Sequence, residues 1–368
     1  MLKRIYVDNF RCLVDFELCF DDIHLFLGPN GAGKSTVFEV LRKIQAFVSR
    51  AEEVAEVFEP HDLTRFMNSP QQTFELEIEG NGGRYKYELA IRHEQANREA
   101  SLAYERLSFN DQPLLKFESG AGQLYLDDQQ KSVTIPGQFS LSAVAFFASE
   151  PYSKLTWFKE RMMRFMIVKV IPPIMEPESS QQQAQPSSKM ENFISWYRYV
   201  SKDSSKARQI TDALKEVFED FDSFKFVKAG EQHRVLNVRF VNGSNGHKPI
   251  EYRFGEIADG DRALIALYSL IHYARFSDVT LCIDEPENFL ALAEIQPWLM
   301  ELYDFCSDDE LQTLLISHHP DLIDFLALSR GYWFERDNDT PTRARRLTDD
   351  DSGGFPMSKL VARGWIHG

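Results

Sequence analysis

Residues 28–36 read Gly28-Pro29-Asn30-Gly31-Ala32-Gly33-Lys34-Ser35-Thr36, a match to G-x-x-x-x-G-K-[ST]. The glycines of such a loop let the backbone turn tightly and aim successive N–H groups at phosphate oxygens. The pattern has meaning only between a strand and a helix, and both are predicted here. Residues 23–27 form a short apolar run of strand type. After the loop, Val37, Val40, Leu41, Ile44 and Val48 fall on one helical face. The helix amino terminus adds its dipole to the same anion site. In this pattern Lys34 reaches the β- and γ-phosphates, and Ser35 holds Mg²⁺.

Working outward, residues 2–9 and 13–20 alternate apolar and polar side chains, as two half-buried strands joined by a turn. Residues 73–147 read as an antiparallel meander, with turn signals at Asn110-Asp111 and Gly120 to Gly122. From Pro151 the character changes. Residues 155–170 look helical until Pro172-Pro173, and residues 178–188 (ESSQQQAQPSS) are polar, low in complexity and predicted to be a mobile loop. Helical patterns return over residues 191–221, then strands near 224–227, 235–241 and 250–254.

Three further stretches carry chemistry. Val279-Thr280-Leu281-Cys282-Ile283 is an apolar run of buried-strand type ending in Asp284-Glu285-Pro286. Carboxylates at the end of such a strand lie where ligands collect in α/β sheets. Asp284 is therefore the candidate for the metal shell, and Glu285 for orienting and deprotonating water. Taken alone, the segment also reads as a strand followed by an acidic helix cap. Thr313-Leu314-Leu315-Ile316 is a second buried strand, followed by Ser317-His318-His319-Pro320. A lone histidine there is usually a turn residue; after a phosphate loop and an acidic strand, His318 is the candidate γ-phosphate sensor, ahead of His319. Finally, Ala258-Asp259-Gly260-Asp261 precedes a helix with Leu264, Leu267, Tyr268 and Ile271 on its apolar face.

The order strand–GPNGAGKST–helix, IADGDRALIALYSL, VTLCIDEPEN, LLISHHPDLID resembles the ATP-binding-cassette ATPases. Within them the chain is similar to the SMC/RecF/OLD-like branch of AAA-type ATP-binding proteins, whose opening strand pair resembles IYVDNFRCLVDFELCF. The resemblance covers residues 1–50 and 250–325, and the middle third matches only in layout. It implies ATP and Mg²⁺ as ligands. It also implies two heads joined head-to-tail around two ATP molecules, each signature segment capping the nucleotide of the other. Asn30, Gly31, Ala32, Gly33, Lys34, Ser35 and Thr36 would then hold the head's own nucleotide. Ala258, Asp259, Gly260 and Asp261 would face the partner's γ-phosphate, and hydrolysis at Glu285 would release the dimer. The signature's usual serine is Ala258 here, and the acid expected after the acidic strand falls at Ala291. The lobe junction Phe146-Phe147-Ala148-Ser149-Glu150 lacks the usual glutamine. Slow or partner-dependent turnover is the expectation.

The predicted architecture is an α/β, two-lobed ABC-ATPase head. Residues 1–150 form the first lobe with the phosphate loop and the meander, 151–222 a helical insertion, and 223–368 the second lobe. The 368 residues suit two domains or lobes, and 43% hydrophobic residues exclude a wholly disordered chain. A net charge of −15, from 41 Lys+Arg and 56 Asp+Glu, argues against a generally DNA-coating protein. A local nucleic-acid groove stays open as a reading of Lys159, Arg161, Arg164, Lys169, Arg198, Lys202, Lys206 and Arg208, beside solvated helical faces as the preferred one. No apolar run approaches the ~18 residues of a membrane span, and residues 1–8 turn acidic too early for a secretory signal. Cys12, Cys19, Cys282 and Cys306 show neither zinc nor redox spacing, so a cytoplasmic protein without membrane partners is expected.

Only 49 residues follow His319, and no nuclease domain fits them. Asp349, Asp350 and Asp351 read there as a solvated turn rather than a metal site. The compact head resembles the ATPase subunits of bacterial anti-phage systems, which partner a separate nuclease or toxin. Two alternatives stand beside it: a RecF-like DNA-repair ATPase acting on DNA itself, and a non-hydrolysing ATP-dependent scaffold.

Overall fold

Alternating burial along the first strand organises the amino-terminal sheet. In β1 (Leu2–Asp8), Leu2, Ile5 and Val7 are buried, and the strand lies between β2 (Phe16–Cys19) and β4 (Gln71–Gly80), antiparallel to both. β3 (Ile23–Leu27) is buried at all five residues and leads through the phosphate loop into α1 (Lys34–Arg50). The computed structural model describes all residues except 51, 95–99, 119, 128–131, 137–139, 242–248, 338 and 365–368. The chain divides into two compact units. One comprises Met1–Phe165, Asp278–Thr280 and Ile323–Gly368; the other comprises Met166–Ser277 and Leu281–Leu322.

In the first unit, α2 (Val54–Val57) follows α1, and β4 opens a meander through β5 (Gly83–His93), β6 (Ala100–Phe109), β7 (Gln112–Glu118), β8 (Ala121–Tyr125) and β9 (Ser132–Pro136). The resulting eight-stranded sheet has the order β2-β1-β4-β5-β6-β7-β8-β9. Two of its hairpins turn on pairs with positive φ, Asn81-Gly82 and Asn110-Asp111, the backbone that a two-residue turn matched to strand twist demands. α3 (Ala143–Phe147) is anchored by the buried Glu105 of β6. That carboxylate accepts from Tyr87 Oη (2.9 Å), Ser142 Oγ (2.6 Å) and the Ala143 N–H (2.6 Å). Burial pushes its pKa up despite these donors. α4 (Ser153–Met163) closes the segment, and Gln45 of α1 donates to the carbonyls of Met162 (3.0 Å) and Phe165 (2.7 Å).

The helix expected over residues 155–170 stops at Met163. Phe165–Val168 is instead strand β10, with all four residues buried. A short apolar run fits either period, and here both faces of a strand are covered. In the second unit β10 neighbours β15 (Thr280–Asp284), which neighbours β16 (Gln312–Ile316). A smaller antiparallel sheet has β13 (His233–Phe240) at its centre. β12 (Phe221–Ala229) lies on one edge; β11 (Glu178–Ser179) and β14 (Ile250–Arg253) share the other. The intervening helices are α5 (Phe193–Val200), α6 (Ser204–Val217), α7 (Asp259–Ala274) and α8 (Leu292–Ser307). Residues 178–188, expected to be a mobile loop, carry defined contacts. Ser179 is buried, the Gln183 N–H donates to the Ser195 carbonyl (3.1 Å), and Asn192 Nδ2 donates to the Gln185 carbonyl (3.0 Å).

After α9 (Pro320–Arg330), β17 (Gly331–Glu335) pairs parallel with β3, and β18 (Arg343–Arg346) pairs antiparallel with β17. The short helices α10 (Asp349–Ser352) and α11 (Met357–Arg363) follow. Among the described residues no helix is long and apolar enough to cross a membrane.

His24, fully buried in β3, ties that strand to the start of β17. Its Nδ1 meets the Arg330 carbonyl at 3.1 Å, and its Nε2 accepts the Asp21 N–H at 2.8 Å. The ring is therefore neutral. Burial first, then the Arg346 charge, lower its pKa to about 4. The unfolded chain binds the proton between about pH 6.5 and 4 and the folded one does not, so stability falls as pH falls through that window. The expected loss is roughly 3 kcal/mol by pH 4. Urea unfolding at pH 7.5, 5.5 and 4.5 checks it, and His24→Phe should flatten that part of the dependence.

Candidate functional site

In the first unit the phosphate loop is shaped by positions that only glycine suits. Gly28, at φ +137°, lies against β17 so closely that a Cβ there would sit 2.1 Å from the Phe334 carbonyl oxygen. Gly31 and Gly33 also have positive φ, and a Cβ on Gly33 would meet Thr342 Oγ1 at 2.6 Å. Thr342 fastens the loop from outside: its hydroxyl donates to the Ala32 carbonyl (2.9 Å) and its N–H to the Cys12 carbonyl (2.8 Å). Cys12 Sγ in turn donates to Thr36 Oγ1 at 3.6 Å. Neither Cys12 nor Thr342 was legible as a loop support, since each is remote from the motif in sequence.

Lys34 is buried, and its ammonium donates to the loop's own carbonyls at Gly28 (2.7 Å) and Pro29 (3.0 Å). Asn30, Gly31 and Ser35 are exposed, whereas Ala32 and Gly33 are buried. A cation, an exposed hydroxyl and a helix amino terminus on one glycine-shaped turn fit a phosphate group with a hard metal ion.

The second unit carries the acidic strand. β15 ends at the half-buried Asp284, and Glu285 follows in the left-handed region at φ +53°. A non-glycine residue there costs of order 1 kcal/mol, a form of strain that concentrates at functional sites. The backbone is held in place because the Glu285 N–H donates to the Ile316 carbonyl at the end of β16 (2.8 Å). Its carboxylate pairs with Lys169 Nζ and accepts from Asn288 Nδ2 (2.9 Å). Partial burial raises its pKa, but these bonds and the Lys169 and His318 charges outweigh that and lower it. Lys169 and Asn288 are the residues that sequence reasoning missed, since nothing local to Lys169 marks its distant carboxylate partner.

His318 is exposed, and its N–H donates to Glu287 Oε1 (2.8 Å). His319 is buried, and its Nδ1 accepts the Asp321 N–H (3.2 Å), which makes it a turn residue at the start of α9. Ala258 is the N-cap of α7, and Asp259 pairs with Arg262 one turn on. A Cβ on Gly260 would lie 3.1 Å from the Phe289 carbonyl, so the helix start abuts the loop that follows the acidic strand. Burial, with Glu294 nearby, pushes the Asp261 carboxyl up. Arg262 also donates to the Pro172 carbonyl (2.9 Å). The unit thus gathers Glu285, His318 and residues 258–261 around the ends of β15 and β16, while residues 30–36 belong to the first unit.

The basic residues for which a groove stayed open, beside the preferred reading of solvated faces, are largely engaged. Arg161 is fully buried beside Asp278 (3.2 Å), and Arg164 pairs with the same carboxylate. Lys206 donates to the Tyr273 carbonyl and to Ser277 Oγ, and Arg208 pairs with Asp212. Asp351, from the acidic run, caps α10 and pairs with Arg345 (2.8 Å).

Residues 23–324 match the protein family described as "AAA domain, putative AbiEii toxin, Type IV TA system". A curated relative, the OLD nuclease of Thermus scotoductus (strain ATCC 700910 / SA-01), is 49% identical over 41 residues, which span 11% of this chain and only 8% of that protein. Among solved structures, an SMC head bound to the C-terminal winged-helix domain of ScpA aligns at TM-score 0.55 and 10% identity, over 95% of this chain and 98% of that one. The SMC head domain from Thermotoga maritima aligns at TM-score 0.49 and 13% identity, over 94% and 98%. The fold is that of an SMC-type ATPase head.

The Gly28 approach yields a direct test. Gly28→Ala should destabilise the chain by about 3 kcal/mol, through overpacking against the β17 backbone and a disfavoured φ. The urea midpoint reads this out; an unshifted midpoint would show that the turn accepts a side chain.

Proposed function

The chain belongs to this AAA-domain family of AbiEii type, within the SMC/OLD-like branch of ATPases, and we propose from that premise that it binds ATP–Mg²⁺, pairs head-to-tail with a second copy and hydrolyses ATP to control a separate effector. The observation that carries the nucleotide reading is the glycine-shaped loop with Lys34 and the exposed Ser35 at the start of α1. Asn30, Gly31, Ala32, Gly33, Lys34, Ser35 and Thr36 cradle the phosphates, and Lys34 balances their charge. The family pattern gives Ser35 and Asp284 as the residues to hold Mg²⁺, which when bound offsets phosphate charge.

Glu285 acts as general base. A water oxygen attacks the γ-phosphorus as the bond to the β–γ bridging oxygen breaks, and the electron pair leaves with ADP. The water's proton passes to the Glu285 carboxylate. His318 senses the γ-phosphate, and Ala258, Asp259, Gly260 and Asp261 face the nucleotide of the partner copy. With alanine at position 258, one side-chain hydrogen bond is missing from that cap, which favours slow or partner-dependent turnover.

Control of a separate nuclease or toxin in anti-phage defence draws on the toxin–antitoxin description of the family and on the short stretch shared with an OLD nuclease. Direct action on DNA draws less support, because Arg161, Arg164, Lys206 and Arg208 already have protein partners. Cytoplasmic location is part of the same reading.

Lys34→Ala should weaken ATP binding at least 100-fold. Glu285→Gln should retain ATP, lose about 10²- to 10⁴-fold in turnover and accumulate as an ATP-dependent dimer in light scattering. Equal ATP affinity in Lys34→Ala and wild type would sink the site assignment. Capture of Glu285→Gln from its native cell with ATP present, followed by mass spectrometry, tests for a stoichiometric effector; nucleic acid in its place would favour the DNA reading.

A further inference from the structure

Lys169 is the first residue beyond β10, and Glu285 the first beyond β15, the adjacent strand of the sheet. Their side chains meet in an ion pair, with Lys169 35% and Glu285 28% exposed, so the pair sits at the surface end of the two strands rather than in the core. Both members are fixed through their backbones. The Lys169 N–H donates to the Ser188 carbonyl (2.8 Å), and the Glu285 N–H to the Ile316 carbonyl (2.8 Å). The oxygen that Lys169 engages, Oε2, is also the one that Asn288 Nδ2 reaches at 2.9 Å. Two donors therefore converge on one carboxylate oxygen, and the side chain is oriented by contacts that a water molecule would have to displace or rearrange.

A surface ion pair of this exposure contributes little to stability. Its position at the end of the acidic strand does not follow from packing needs. We propose that Lys169 is a positioning residue that parks the Glu285 carboxylate away from its water-activating pose, so that ATP turnover requires the pair to open. The inference rests on the reading of Glu285 as general base. A strap of chain runs from Lys169 to Pro172, whose carbonyl accepts from Arg262 in the first turn of α7. The parked state is therefore anchored to the helix that begins with residues 259–261.

The test compares wild type, Lys169→Met, Lys169→Gln, Lys169→Arg and Glu285→Gln, with phosphate release giving kcat and a fluorescent ATP analogue giving affinity. Lys169→Met and Lys169→Gln should raise kcat by about 3- to 10-fold, with ATP affinity within twofold of wild type, a barrier change of the size one exposed pair supplies. Lys169→Arg preserves a cation and should stay near the wild-type rate. An unchanged kcat in both neutral variants overturns the inference. So does a fall toward the Glu285→Gln rate, which would make Lys169 a contributor to the chemistry. Full turnover by Glu285→Gln would remove the general base itself, and loss of ATP binding in wild type would remove the nucleotide reading; each failure is visible apart from the Lys169 result.

Discussion

The closeness of Gly28 to the Phe334 carbonyl is the constraint from which the phosphate loop takes its shape. Strand β3 is buried at every residue and held in parallel register with β17, so the chain leaving it has no room to spread. Only a residue without a Cβ turns at that point, and the turn sends residues 29–33 back over the strand end before α1 begins. The rest of the first unit reinforces that geometry. His24 fixes the beginning of β3, Thr342 and Cys12 brace the loop, and Gln45 anchors α1 to the end of α4.

The second unit is constrained differently, at the backbone of Glu285. Strand β15 is buried, and a buried strand offers no freedom to its last side chains. The chain gains that freedom at Glu285 by stepping into the left-handed region, and β16 holds the step through one backbone hydrogen bond. Asn288, Glu287 and the loop at Phe289 then tie the acidic strand to the histidine strand and to the start of α7. A charge pair, a strained backbone and a helix terminus thus converge within one short region. Such convergence is characteristic of sites where chemistry is done rather than where stability is stored.

Sequence made the local features legible. Glycine spacing, a buried strand ending in two acids and a strand ending in histidines are each written in fewer than ten consecutive residues. What it concealed depends on partners far along the chain. Lys169 and Arg161 look alike as exposed cations on a helical stretch, yet one meets a carboxylate 116 residues away and the other is buried against Asp278 and Thr280. The strand at Phe165–Val168 was hidden for a related reason. Four apolar residues satisfy a helical or a strand period equally, and only the neighbouring β15 decides between them. Glu105 shows the same limit in the first unit: a glutamate in a meander strand gives no local sign that it will be buried as the anchor of α3.

The bond from Thr342 to Ala32 spans 310 positions of sequence. On a ribosome, the phosphate loop is made well before the residues that brace it. Until Phe334 and Thr342 have emerged, β3 lacks its parallel partner and the loop lacks its outer fastening, so the nascent chain has the motif without the pocket. The shape of the loop is consequently acquired with β17 and Thr342 rather than with the segment that carries the motif.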